Sequence, residues 1–385
     1  MKQKKVFFSI VIPTRNRHET LRYTIQTILE QDFKDYELII CDNNSSKETQ
    51  ELVASFNSKH IKYIHSDKDL AMSDNWELAL SHTSGKYITV IADNDGFING
   101  SLGYLYKQLI KHKMPEIIRW EKNSYYWPDM DVHYVKRLGI KTGVKTRVLT
   151  EKEVAFDVLN AKASFHLLPM IYCSVVSSSL LEKLKKKTNK VFHSRSPDIY
   201  SGFAFLYLVQ KYISIDTPIT INGTSKKSNG FNCSKAKNDI KSEFVKLNEI
   251  AGYPRHKYLP NVRASGLSGV FDSFLYAKER LKIDDISLGR EEIVDKLIKS
   301  ALVYNEEELQ IIKKKFIESV YDDKELLKYT KKAIERLKVS EPEPPKNRLG
   351  FYENVLYLDG EKFNINNIYE ASQFMEQFYN YAEVN

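Results

Sequence analysis

The sequence predicts an α/β protein: a Rossmann-like, mostly parallel sheet flanked by helices over residues 1–235, then a mainly α-helical region over 236–385. Three observations carry that prediction. Short runs rich in aliphatic and β-branched residues alternate with segments whose apolar residues recur at helical spacing. Several of these runs end in a polar loop, and beyond Asn232 the strand signal fades while helical periodicity continues.

Phe7–Ile12 is apolar apart from Ser9, as a strand buried on both faces requires, and Pro13 ends it. The N-terminal Met1–Lys5 followed by this run imitates a short signal peptide, but Pro13-Thr14-Arg15 stands where a small-residue cleavage site belongs, so the run reads as a first strand. Leu21, Ile25, Ile28 and Leu29 give a helix over Glu19–Gln31, and Glu37–Cys41 is a second buried strand closed by Asp42-Asn43-Asn44-Ser45-Ser46. A helix over Glu48–Phe56, a strand at Ile61–His65, a helix over Asn75–Thr83 and a strand at Tyr87–Ala92 follow, the last running into Asp93-Asn94-Asp95-Gly96. Right-handed crossovers then put the loops Thr14–Arg17, Asp42–Ser46 and Asp93–Asp95 at the carboxyl ends of parallel strands, where α/β sheets hold ligands.

Glu116–Trp120 reads as a further strand, and the aromatic, irregular stretch Asn123–Val135 is a candidate lining for an acceptor site. His193-Ser194-Arg195-Ser196-Pro197-Asp198 leads into an apolar helix over Ile199–Tyr212, and Ile219–Ile221 reads as the last strand of this half. Helices are expected at Ser242–Ile250, Leu267–Leu281, Arg290–Leu302, Glu306–Val320 and Lys324–Leu337. Glu341-Pro342-Glu343-Pro344-Pro345 is a stiff linker, followed by a hairpin turning at Asp359-Gly360 and a helix over Asn367–Tyr381.

Composition narrows the class. At 385 residues, with 42% hydrophobic and 28% charged residues, the chain can bury a sizeable core plus a second module. The net charge of +8 is scattered over short lysine clusters and makes no single stripe, which argues against nucleic acid as partner. That charge is compatible with phosphates and with peripheral contact at an anionic membrane, and most of the clusters read as solvated helix faces. Cys41, Cys173 and Cys233 are odd in number and widely spaced, as in a reducing cytoplasm. No window reaches the roughly 18 apolar residues that a membrane span needs.

Four segments together resemble glycosyltransferase family 2, with its GT-A fold: Ser9-Ile-Val-Ile-Pro-Thr-Arg-Asn-Arg17, Tyr36-Glu-Leu-Ile-Ile-Cys-Asp-Asn-Asn-Ser45, Gly85-Lys-Tyr-Ile-Thr-Val-Ile-Ala-Asp-Asn-Asp95 and Ser196-Pro-Asp198. Each alone is unspecific; their order and spacing carry the resemblance, over about residues 6–235. It implies an inverting transferase that moves a sugar from a nucleotide-sugar, a UDP-sugar by family habit, to a saccharide or lipid-linked saccharide in bacterial surface polysaccharide synthesis. A cytoplasmic enzyme, peripheral at the inner face of the membrane, is the setting; self-association is compatible with it.

By the same resemblance Pro13, Thr14, Arg15, Asn16 and Asp42 hold the nucleotide, although Asp42 could equally close its own turn. Asp74 is either a contact to the base or, with Ser73, an N-cap. Asp93 and Asp95 would hold Mn²⁺ or Mg²⁺, with Asn94 among the donor-binding residues; the other reading is a tight Asn-Asp-Gly turn. In a second register Asn94 stands at the metal-ligand position, and the chain is then a catalytically impaired scaffold that binds nucleotide-sugar. Asp198 is implied as the base for the acceptor hydroxyl, or an N-cap, and His193 and Arg195 could touch diphosphate or acceptor. Gly223–Gly230 could close as a basic lid. A nucleotidyltransferase is disfavoured because Pro13–Arg17 contains no glycine with which to cradle phosphates.

Overall fold

A computed structural model describes residues 5–130, 135–227, 243–260, 266–284, 288–301, 303, 305–339, 349–379 and 381. The expected linker 341–345, the far end of the expected lid and the 235/236 boundary lie outside the described residues.

The first half begins as the sequence predicts. Strands β1 (Phe8–Thr14), β2 (Tyr36–Asn43), β3 (Ile61–Ser66) and β4 (Tyr87–Val90) are parallel neighbours in the order β4-β1-β2-β3, joined through helices α1 (His18–Leu29), α2 (Lys47–Ser55) and α3 (Met72–Ser81). Side chains of a strand point alternately to opposite faces. Phe8, Ile10 and Ile12 therefore share one core with Leu21, Ile25 and Ile28 of α1, whereas Val11 joins the other core with Trp76 and Ala79 of α3. Every one of those residues is buried, which explains why these runs read as continuous hydrophobic stretches.

Next come β5 (Gly96–Phe97), α4 (Ser101–Lys111), β6 (Ile117–Tyr126), β7 (Arg137–Lys141), β8 (Thr146–Thr150), α5 (Glu151–Leu159), β9 (Ser174–Ser177), α6 (Ser178–Thr188), α7 (Pro197–Val209) and β10 (Lys211–Thr224). Here the ladders are mixed. β9 lies antiparallel between β4 and β6, β7 is antiparallel to β6, and β10 runs parallel to β6 but antiparallel to β5 and β8. The mostly parallel arrangement thus holds for the four leading strands and for β6 with β10, and the rest of the sheet is antiparallel. β10 is far longer than the short strand expected at Ile219–Ile221, because Asp216-Thr217-Pro218 sits at a register shift that breaks its apolar pattern.

Helices α8 (Glu243–Ile250), α9 (Leu267–Leu281), α10 (Arg290–Lys299), α11 (Glu306–Glu318) and α12 (Lys324–Ala333) form the helical region. α9 stacks on α7, with the rings of Phe274 and Phe203 5.4 Å apart, so α7 is buried from both sides. The chain then returns to the first half. β11 (Gly350–Tyr352) and β12 (Val355–Asp359) form the expected hairpin, but its turn is Glu353-Asn354, both with positive φ as a tight two-residue turn requires, and Asp359 instead caps the following 3-10 turn. β12 extends the main sheet beside β7, and α13 (Ile368–Glu376) buries Ile368, Ala371 and Met375 in the core that holds Phe8 and Ile25. Residues 350–376 therefore belong with the N-terminal sheet and not with the helices they follow. Among the described residues no helix is long and apolar enough to cross a membrane.

Candidate active site

The loops after β1, β2 and β4 converge at the carboxyl ends of those strands. At the end of β1 the Thr14 hydroxyl donates to Asp93 Oδ2 at 2.8 Å, and Arg17 Nη1 pairs with Asp93 Oδ1 at 3.0 Å. Asn16 has a φ of 51° and joins the first two loops: its N–H donates to the Ser45 hydroxyl at 2.8 Å, and its side-chain oxygen accepts from the Ser46 N–H at 3.0 Å. Pro13, Thr14, Arg15, Arg17 and Asp93 line one wall of a cavity of about 260 Å³. The sequence reading placed Arg17 in this loop without a role; only the fold brings its guanidinium to Asp93. A larger cavity, about 860 Å³, opens near the amino ends of β1 and β4, beside Lys5, Phe7 and Lys86, and away from these loops.

The Asp93-Asn94-Asp95 turn is bound to β10. Asp95 Oδ1 accepts from the Gly223 N–H at 2.8 Å, Asp95 Oδ2 accepts from the Tyr172 hydroxyl, and the Asn94 amide donates to the Gly223 carbonyl. Trp127 Nε1 donates to the Asn94 carbonyl at 3.0 Å, so β6, β10 and the turn form one buried unit. Asn94 thus turns its amide to the sheet as a hydrogen-bond donor, a role that a carboxylate could not fill. Burial pushes the Asp95 carboxyl up to about 6, with Lys122 pulling it back.

Asp198 is linked to the same neighbourhood through charge. It lies in the first turn of α7, one residue after Pro197, with Ser196 at the cap position; the N-cap reading is therefore excluded. Burial raises its carboxyl above the ordinary range, while the amides of the first helical turn and Lys122 oppose that rise. Tyr172, which donates to Asp95, feels the charge of Asp198 as well. Lys122, from β6, holds its ammonium 4.2 Å from the centre of the Tyr172 ring. Sequence reading missed Lys122 and Tyr172 because neither belongs to a motif: one is a lone lysine in a strand, the other a tyrosine among 24.

Other expected residues go elsewhere. Asp42 is fully buried at the end of β2; one oxygen accepts from the Ser45 N–H at 3.0 Å, closing its own turn, and the other accepts from Tyr63 and lies 3.4 Å from His65 Nδ1. Asp74 is not a cap, since Ala71 holds that position; its carboxylate accepts from the Tyr253 hydroxyl, outside the crevice. His193 packs against Tyr200 with its pKa lowered to about 4 by burial and by Arg280, so it is a neutral core residue. Arg195 turns to the Tyr253 carbonyl at 3.3 Å. His193 is thus held by α7, and Arg195 by the segment that follows α8. α8 meanwhile crosses the crevice: Phe244 and Leu247 line the cavity, and Glu243 pairs with Arg15 at 2.6 Å. Arg15 also reaches Asp69 at 3.1 Å.

Asp95 fits a divalent cation in one respect: it is a buried carboxylate with no cation bonded to it among the described residues, and a hard ion would supply that charge. Asp93, already paired with Arg17, would stand beside it. Among the described residues no cluster of three or more His, Cys, Asp or Glu side chains forms a metal site. These two carboxylates with phosphate oxygens are nonetheless a ligand set that Mg²⁺ accepts.

Residues 9–153 match the family model described as Glycosyl transferase family 2, so through this segment the chain is similar to the members of that family. Over 100 residues it is 34% identical to the GalNAc(5)-diNAcBac-PP-undecaprenol beta-1,3-glucosyltransferase of Campylobacter jejuni, covering 25% of this chain and 32% of that one. Over 106 residues it is 26% identical to the UDP-Glc:alpha-D-GlcNAc-diphosphoundecaprenol beta-1,3-glucosyltransferase WfgD of Escherichia coli, covering 28% of this chain and 42% of that one. The matches thus span well under half the length of these curated relatives. Among solved structures, S. aureus TarS 1-349 in complex with UDP-GlcNAc superposes with a TM-score of 0.49 at 13% identity, over 88% of this chain and 98% of that one.

Proposed function

We propose that the protein is an inverting glycosyltransferase that moves a sugar from a UDP-sugar to a hydroxyl of a lipid-linked saccharide, in the cytoplasm at the inner face of the bacterial membrane. The observation that carries the reading is the approach of two distant segments: Tyr172 donates to Asp95, in the turn after β4, and feels the charge of Asp198, in the first turn of α7. Donor and acceptor chemistry need these two groups on opposite sides of the reacting carbon. The acceptor class rests on the undecaprenol-linked substrates in the names of the two bacterial relatives.

In the reaction, Asp198 takes the proton of the acceptor hydroxyl as the oxygen forms its bond to the anomeric carbon. The bond from that carbon to the diphosphate oxygen breaks with its electron pair, UDP leaves and the configuration inverts. Pro13, Thr14 and Asn16 hold the nucleotide end, with Arg15 freed from Glu243 to meet phosphate. Mn²⁺ or Mg²⁺ bound at Asp95, beside Asp93, would neutralise charge on the leaving diphosphate.

The test is a thermal-shift panel of UDP, GDP, CDP and dTDP, each with Mn²⁺ or with EDTA, followed by transfer assays with the responding donor. A ligand that binds only the folded state raises the melting temperature by mass action. UDP is expected to give the largest rise; equal, negligible responses to all four would sink the donor reading.

A further inference from the structure

The Lys122 ammonium is shielded from solvent and has no hydrogen-bond acceptor among the described residues. Its nearest recorded partner is the face of the Tyr172 ring, at 4.2 Å, and a ring face attracts a cation without satisfying any of its three N–H donors. A buried charge left in that state is costly, and such groups are ordinarily paired with an acceptor. Lys122 is not a stray surface lysine folded inward: it stands within β6, opposite Thr220 of β10, in the ladder that carries the Gly223 contacts to Asp95. Its charge bears on Asp95, in the turn after β4, and on Asp198, in the first turn of α7. The unpartnered cation therefore lies in the field of both acids, the one in the turn after β4 and the one in the first turn of α7.

We propose that Lys122 is a built-in cation of the transfer site, whose missing partner is an anionic oxygen of the donor's diphosphate. The inference rests on the reading of the crevice as a nucleotide-sugar site. Being fixed by a central strand, the ammonium needs no reorganisation as negative charge grows on the departing phosphate, which is the condition under which an electrostatic contact accelerates a reaction. The unfavourable ligand-free state is the corollary: the lysine is kept for the complex at the expense of the empty fold.

Lys122→Met, Lys122→Gln and Lys122→Arg separate this role from a packing role. Melting temperature without ligand is measured first, then affinity for UDP, for uridine and for inorganic pyrophosphate by titration calorimetry. Lys122→Met is expected to melt at or above the wild-type temperature, to bind UDP at least tenfold more weakly, to bind uridine unchanged and to lose the pyrophosphate response. Lys122→Arg keeps most of the UDP affinity. If Lys122→Met does not fold, Lys122→Gln is read for the same affinities. UDP and pyrophosphate binding unchanged in the neutral variants overturns the proposal, as does a neutral variant that loses uridine and UDP equally. If wild-type protein binds none of the four nucleotides, the UDP-sugar reading fails, and pyrophosphate alone decides: a response lost in Lys122→Met upholds the cation site, and no response in the wild type overturns it.

Discussion

At the scale of single residues, the site is governed by what burial does to charge. Asp198 works as a base only when ionised, yet burial raises its pKa. The rate, read as kcat/KM, is therefore expected to rise with pH through a value above the ordinary aspartate pKa of about 4 and to level off once the carboxylate is formed. Asp198→Asn removes that limb and is expected to lower turnover by about 10²- to 10⁴-fold, with the UDP-induced thermal shift preserved. Retained turnover would take Asp198 out of the base role. Asn94 gives the converse case. Its amide donates to the Gly223 carbonyl, and a carboxylate would set two acceptors face to face. Asn94→Asp is thus expected to cost about 1–3 kcal/mol of stability, the usual result of leaving a buried polar group unpaired, as read by urea unfolding. It is expected to give no gain in Mn²⁺-dependent transfer; a gain would revive the impaired-scaffold reading.

At the scale of elements, the site is a contact between the β4 turn and β10, and its tolerance is small. A Cβ added to Gly223 would stand 1.8 Å from the Asn94 carbonyl oxygen, closer than any real contact. The turn and β10 can coexist only if position 223 has no side chain. Gly223→Ala must push the strand from the turn, breaking the bond from its N–H to Asp95; overpacking of this kind costs about 1–3 kcal/mol. A lower melting temperature together with a weaker UDP response is the expected outcome, whereas unchanged values would mean that β10 does not position the turn. Glycine was visible at this position in the sequence, but nothing there linked it to a turn on the far side of β4.

At the scale of the whole molecule, the chain closes on itself. β12 covers the edge of β7, and α13 lies on α1 and β5, where Ser372 donates to the Phe97 carbonyl at 2.7 Å. α9 covers α7, the helix that carries Asp198. A chain cut to residues 1–235 would expose both surfaces and leave an unpaired strand edge, a known route to aggregation. It is expected to lose its cooperative melt and to elute as aggregates in size-exclusion chromatography. A monomer that melts cooperatively within a few degrees of the full chain would establish the first 235 residues as an independent unit.

Sequence alone determined what is local. Apolar runs at strand or helix period placed the elements from β1 to β4 and the helices from α9 to α12 to within a few residues, because each element buries a face that repeats along the chain. Polar loops after such strands marked the crevice, and Thr14 and Asp93 are joined there. Tertiary structure alone decided what depends on distant partners. It drew Asp74 and Arg195 to Tyr253, packed His193 on Tyr200, gave Arg17 to Asp93, turned Asn94 into the sheet, returned residues 350–376 to the first half and set Lys122 against Tyr172. None of these contacts has a period or a spacing. Each is a pairing of charge or hydrogen bond across long chain separations, settled only when the cores on both faces of the sheet have closed.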